Sequence, residues 1–385
     1  RDAVRSLEDQ LRRTTQFAEE IDATAKQLAA WDPYDQNASS PFFDPEWMFG
    51  LRDGFDVLIG NPPYVSALVF TELYGETLRN ALNACFVSAT GAYDVFVLFL
   101  ERGICLLRQS GVLSFITPNK YLAAKYAAGI RTYILENSSL QRLVDVSGVN
   151  VFESASVYPV ITILTKTRVA PSPLRVLLPL RRMSEAFELG NYRECVVPHE
   201  MLKLLPENIW GFALSRSAFL LPKLIDSAEP LAQLGEVSAT STAAEADEYG
   251  AFLINKPQAG ALKVLNTGTI DRYASLWGQT ELTHQGKTFL TPYLPLAKAA
   301  VNGRRQEMYR SPKVLFAKMA KTCEAFIDED GEYASLNTNC FYRPRKSISL
   351  KYVGGFVSSR LFMFLYDLFF GALRMACLLY TSPSP

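Results

Sequence analysis

The sequence predicts an α/β protein: a doubly wound sheet with helices on both faces, followed by a mixed α+β domain. Three observations carry that expectation. Between Phe55 and Thr165, short apolar runs alternate with longer amphipathic ones, the pattern of strands joined by helices. The first of these runs, Phe55–Ile59, is stopped by Gly60 and opens directly into Asn61-Pro62-Pro63-Tyr64, a stiff loop at a strand's carboxyl end. From about Pro206 the alternation is lost and mixed strands and turns take over.

Along the chain, Val4, Leu7, Leu11, Thr14, Ala18, Ile21, Ala25 and Leu28 fall three or four residues apart, which predicts one long amphipathic helix packed on its own domain. Trp31–Gly50 is rich in Pro, Asp, Asn and Ser but holds six aromatics, Trp31, Tyr34, Phe42, Phe43, Trp47 and Phe49, and reads as a loop packed over the sheet. Phe55–Ile59 reads as a buried strand, central in a parallel sheet. A polar segment runs from Tyr64 to Thr90. Tyr93–Arg108 is helical in pattern, with Val95, Phe96, Leu98, Phe99, Ile104 and Leu107 as its apolar face. Gly111–Thr117 is a strand stopped by Pro118-Asn119-Lys120, Tyr121–Leu135 a helix, and Leu140–Val146 and Tyr158–Thr165 two more strands. This divides the chain into a first domain over 1–205, a second over 206–375 and a tail over 376–385. The chain starts at Arg1 inside a helical pattern and ends in Tyr380-Thr381-Ser382-Pro383-Ser384-Pro385, so both ends read as boundaries of a fragment.

Composition narrows the class. With 385 residues, 49% hydrophobic and 20% charged, the chain is globular rather than disordered. Its formal net charge is zero, so a nucleic-acid role has to rest on local distribution. The six cysteines form no CxxC pair and argue against a zinc ribbon or a disulfide framework, which fits a reducing cytoplasm. No metal site is expected: the two histidines, His199 and His284, lie near no other ligand and read as surface or loop residues. Leu361–Leu379 is the most apolar stretch, but Asp367, Gly371 and Arg374 interrupt it, so it reads as a core or interdomain helix rather than a membrane span.

The bend after the first strand suits one chemistry. The Asn61 side-chain oxygen and the Pro62 carbonyl both accept hydrogen bonds, and neither Pro62 nor Pro63 brings a competing N–H. Tyr64 adds a flat aromatic face. Two acceptors and a stacking plate grip a planar ring through its exocyclic amine and localise the nitrogen lone pair for attack on an electrophilic methyl group. The plain alternative is a Pro-Pro turn ending a strand, with Asn61 in an Asx turn. Phe55–Val65, FDVLIGNPPYV, resembles the S-adenosylmethionine-dependent amino-methyltransferases, and most of all the gamma-class adenine-specific DNA methyltransferases of restriction–modification systems. The order of the later pieces, with FITPNKYL after the second strand, matches that class as well.

The resemblance implies a Rossmann-like methyltransferase sheet, S-adenosyl-L-methionine as cofactor and double-stranded DNA as partner. Asn61 and Pro62, with Pro63 beside them, would bind the target amine, and Tyr64 would stack on a flipped adenine. Phe152 sits where the family has an aromatic that touches the target base; its other reading is a core residue under the following strand. Upstream of Phe55 the only glycines are Gly50 and Gly54, so no glycine-rich turn is present, and the cofactor-binding residues, like any fused endonuclease domain, are expected upstream of Arg1. Downstream, Arg304, Arg305, Arg310, Lys313, Lys318, Arg343, Arg345 and Lys346 alternate with aromatics, which reads as a phosphate-backbone surface or as an ordinary solvated face. YRSPKVLFAKMAK, then YASLNT, then YVGGFVSSRLFMFLY loosely resembles the target-recognition domain of these enzymes. The same loop also serves methyltransferases of RNA bases and of a glutamine amide in protein, and a further alternative is a DNA-binding fragment inert without its cofactor half.

Overall fold

The computed structural model describes residues 43, 45–148, 158–167, 172–180, 189–317, 323–345 and 347–370. The expected Val4–Leu28 helix, Phe152, Lys318 and Lys346 lie outside them.

Six strands form the first sheet: β1 (Phe55–Gly60), β2 (Leu107–Pro118), β3 (Ser139–Asp145), β4 (Pro159–Thr165), β5 (Leu174–Pro179) and β6 (Tyr192–Val197). Their order is β1-β2-β4-β3-β5-β6. The pairs β1/β2 and β3/β5 are parallel, while β4 runs antiparallel between β2 and β3 and β6 antiparallel to β5. The sheet is therefore mixed.

Two expectations are corrected here. Among the described residues β1 is an edge strand, not a central one: only β2 pairs with it, and Val57 and Ile59 are 54% and 79% exposed. An apolar run signals burial on both faces without specifying where in the sheet the strand lies. Second, the segment expected to be polar contains a 19-residue helix, Ala67–Cys85, broken at Gly75 with φ of 83°. Only its Ala67 is buried, while Leu68, Leu73 and Tyr74 are exposed, so most of its apolar residues are left uncovered by the described residues. The other helices come where periodicity puts them, at Phe96–Leu106 and Ala128–Asn137, though two 3₁₀ turns, Asn119–Leu122 and Lys125–Ala127, precede the latter.

The core under this sheet takes Phe96, Leu100 and Ile104 from the first of those helices, Leu113 from β2, and Ile130 and Ile134 from the second. It does not stop at residue 205. Trp210, Phe212, Leu214 and Leu221 belong to it, as does Leu368 from the helix Arg360–Phe370. Gly211 lies so close to that helix that an added Cβ would come within 1.9 Å of the Phe369 carbonyl oxygen.

The remaining strands are short: β7 (Glu236–Ala239), β8 (Ala261–Asn266), β9 (Ile270–Asp271), β10 (Ala274–Ser275), β11 (Leu282–His284), β12 (Lys287–Phe289), β13 (Tyr293–Pro295), β14 (Lys313–Ala317), β15 (Ala325–Asp328), β16 (Tyr333–Leu336) and β17 (Thr338–Tyr342). They make an antiparallel sheet β15-β14-β17-β7, a second sheet β13-β8-β16 and two hairpins. Phe370 packs against the core of this half as well as the first, and Tyr366 is buried in the second, so the helix Arg360–Phe370 joins the two. Among the described residues no single helix is long and apolar enough to cross a membrane. His284, expected at the surface, is only 11% exposed in its side chain and packs against Gly250, where any Cβ would collide with the imidazole.

Candidate active site

Glycine sets the approach of β1 to β2. Gly54 adopts φ of 102°, and a Cβ there would lie 2.5 Å from the Leu106 carbonyl oxygen. Gly60 faces the Phe115 ring, 3.1 Å from where its Cβ would stand, in register with Phe115 across the ladder. Asp56 is paired with Arg108 at 2.5 Å across the same two strands. These residues are spent on packing and pairing, and among the described residues none forms a glycine-rich cradle for a nucleotide-like cofactor; no residue is assigned to hold one.

The chain leaves β1 at Asn61. Asn61 is exposed, and its side chain makes no hydrogen bond among the described residues. Pro62 is buried, Pro63 exposed and Tyr64 half-buried. The Asx turn of the alternative reading is therefore not formed among the described residues, and the Asn61 amide is open to a ligand. Tyr64 is fixed at both ends. Its hydroxyl donates to the Ile116 carbonyl oxygen at 3.2 Å, and its ring meets Phe96 edge-on at 6.4 Å. Burial pushes the Tyr64 phenol up to about 12, so the hydroxyl stays a donor. Edge contacts continue from Phe96 to Tyr121 at 6.3 Å and from Tyr121 to Trp210 at 6.5 Å, tying the loop to the core past residue 206.

Beyond the prolines the backbone is clamped. Val95 N–H donates to the Val65 carbonyl and Ala67 N–H to the Tyr93 carbonyl, both at 2.7 Å, with Ser66 opposite Asp94 in an isolated bridge. Ser66 then caps the next helix by accepting from Val69 N–H. The loop after β2 is pinned by a group that sequence reading missed, Arg131. It is fully buried and donates to the carbonyls of Tyr121 (2.6 Å), Ala124 (2.9 Å) and Glu207 (3.1 Å), and burial lowers its guanidinium to about 10. Nothing marked it beforehand, because an arginine on an amphipathic helix ordinarily faces water.

The basic residues of the second half fare differently from one another. Lys313 cannot reach a phosphate: it is 0% exposed, ion-paired with the equally buried Asp328, and donates to the Tyr309 carbonyl at 2.5 Å. Arg305 is committed to both carboxylate oxygens of Glu245, at 3.2 and 2.8 Å, and to the Ala239 carbonyl. Arg343 pairs with Glu236 and Glu307 and lies over Tyr342. Arg304, Arg310 and Arg345 are exposed.

The Eco57I restriction-modification methylase family matches residues 4–152. The type II restriction enzyme and methyltransferase RM.Eco57I of Escherichia coli is 30% identical over 112 residues, 29% of this chain and 11% of that protein. The type II methyltransferase M.PaeR7I of Pseudomonas aeruginosa is 30% identical over 32% of this chain and 22% of its own length. For M.XhoI of Xanthomonas vasicola the figures are 31%, 35% and 23%. The matches thus span less than a quarter of each relative. Among solved structures, the Type IIL restriction-modification enzyme MmeI in complex with DNA aligns with a TM-score of 0.42 at 11% identity, over 79% of this chain and 42% of that one, a likeness too slight to establish a shared fold. The segment matched by the Eco57I restriction-modification methylase family, residues 4–152, carries β1, the Asn61–Tyr64 bend and β2.

Proposed function

We propose that this chain is the catalytic and DNA-reading part of an adenine-specific DNA methyltransferase in a restriction–modification system, acting on a base flipped out of double-stranded DNA. The observation that carries this reading is the bend itself: an Asn61 amide left open beside two prolines, next to a Tyr64 ring held in place from both sides. The family of segment 4–152 and the type II methyltransferases it resembles support it.

S-adenosyl-L-methionine supplies the electrophilic methyl group in this reading. The chain's own residues handle the acceptor. The oxygens of Asn61 and Pro62 accept the two hydrogens of the adenine amine, which draws the nitrogen lone pair out of conjugation. The Tyr64 face stacks on the ring, worth about 1–3 kcal/mol toward the few kcal/mol that extrusion costs. Phe152 is the second plate. Arg304, Arg310 and Arg345, with Lys318 and Lys346, are the cations proposed to meet the phosphate backbone; a nuclease on the same polypeptide and a cytoplasmic location belong to this reading as well.

Asn61→Ala in the purified enzyme is expected to lower methyl incorporation into unmodified duplex DNA by about 100-fold or more, the scale of losing one oriented polar group in a dry site, with DNA affinity unchanged. Nucleoside analysis should find N6-methyladenine. Wild-type incorporation by Asn61→Ala, or a product methylated on cytosine, RNA or protein, overturns the reading.

A further inference from the structure

We infer that Tyr126 and Asp94 form a brace that positions the Asn61–Tyr64 bend, Tyr126 being a positioning residue for the proposed methyl transfer. The inference deepens the functional reading above and rests on it. The two prolines fix the shape of the bend but not its placement relative to β2. Asn61, at the start of the bend, has no side-chain hydrogen bond among the described residues to steady it. Placement falls to the residues just after Tyr64, whose backbone is held by two hydrogen bonds, Val95 N–H to Val65 and Ala67 N–H to Tyr93. A bridge that short is marginal without further support.

The support comes from the side chain at its centre. Asp94 accepts a hydrogen bond from the Tyr126 hydroxyl at 2.6 Å, in a half-buried setting where an O–H to carboxylate bond is of the strong kind. Tyr126 lies in the 3₁₀ turn Lys125–Ala127, downstream of β2, and its carbonyl accepts from the Thr90 hydroxyl at 3.3 Å. The Ala124 carbonyl just before it is held by buried Arg131 at 2.9 Å. Burial first, and then the neighbouring Asp94, hold the Tyr126 phenol far above its ordinary range, so it is a donor at any working pH. A continuous set of contacts thus runs from Arg131, anchored in the core, through Tyr126 and Asp94 to the backbone after Tyr64. It couples the loop leaving β1 to the loop leaving β2.

Tyr126→Phe removes one oxygen and leaves the ring. The Ala67 and Val95 amides should then exchange with deuterium about tenfold faster, the value of one charge-assisted bond, while the β1–β2 ladder amides keep their rates. In the methyl-transfer assay kcat should fall about tenfold with the KM for DNA unchanged. Asp94→Asn, which keeps an acceptor for the Tyr126 hydroxyl but not its charge, should retain more of kcat than Asp94→Ala, which should behave like Tyr126→Phe. Unchanged exchange and unchanged kcat in Tyr126→Phe overturn the brace, as does an Asp94→Asn variant no better than Asp94→Ala. Faster exchange in Tyr126→Phe, in an enzyme whose wild type transfers no methyl group to DNA, supports the brace as the support of the bend and refutes the methyltransferase reading instead.

Discussion

The bend after β1 and the basic stretch around β14 looked alike in sequence, each a cluster of functional groups, and the structure treats them in opposite ways. At the bend, Asn61 makes no side-chain hydrogen bond among the described residues while the residues after the prolines are tied down: Tyr64 by Ile116 and Phe96, Val65 and Ala67 by Val95 and Tyr93. Around β14 the cations themselves are tied down, Lys313 by Asp328, Arg305 by Glu245 and Arg343 by Glu236 and Glu307. A binding site needs partners for its frame and none for its contact atoms. Residue type reports neither; only the pairing does.

The largest expected effect tests the second region. Lys313→Met leaves the Asp328 carboxylate buried without its counter-charge, and removal of one member of a buried pair costs about 3–5 kcal/mol. Thermal or urea unfolding should register that loss. Replacing both members should not recover it fully, because Asp328 also accepts the backbone N–H groups of Glu332 and Tyr333, and each orphaned donor costs about 1–3 kcal/mol. If Lys313→Met keeps wild-type stability but weakens DNA binding, Lys313 faces the nucleic acid and the contrast between the two regions collapses.

What was legible in the sequence follows the same division. Strands β2, β3 and β4 were readable because β-branched and apolar residues alternate or run together over short lengths bounded by Gly and Pro. The bend was readable because two prolines dictate backbone shape locally, whatever lies elsewhere in the chain. The helix Ala67–Cys85 was passed over although Phe70, Leu73, Tyr74, Leu78, Ala81 and Leu82 recur three or four residues apart, because Gly75 breaks the segment in the middle and polar residues fill the rest. The burial of Lys313 was hidden for a different reason. Its partner Asp328 lies 15 residues away at the start of the acidic run Asp328–Glu332, and only the β14/β15 pairing, with Lys313 directly opposite Asp328, brings the charges together. The ion pairs of Arg305 and Arg343 were hidden likewise, since Glu245 and Glu236 lie 60 and 107 residues away from them.

An intermediate effect sharpens the account of the bend. Tyr64→Phe deletes the bond to Ile116 but keeps the ring against Phe96, so kcat/KM should fall by about 3- to 10-fold, the worth of about 0.5–1.5 kcal/mol for one neutral hydrogen bond. Tyr64→Ala also removes the plate and should cost about 1–3 kcal/mol more. Steady-state kinetics on the two variants separates frame from contact. Equal losses would make the hydroxyl, not the ring face, the part that matters.

The smallest effect bears on which cations of the second half are available. Each phosphate contact contributes about 0.9 to the slope of log affinity against log salt. Arg345 is exposed, so Arg345→Ala should reduce the slope for duplex DNA by about that amount. Arg343 is also exposed, but its guanidinium is engaged by two carboxylates, and Arg343→Ala should leave the slope nearly unchanged because no counterion-releasing charge is lost. The comparison is demanding: the two arginines are two residues apart and alike in charge, and differ only in what they already hold. An equal drop in slope for both variants would mean that Glu236 and Glu307 let go when DNA arrives, and that pairing in the free chain does not decide which cations bind.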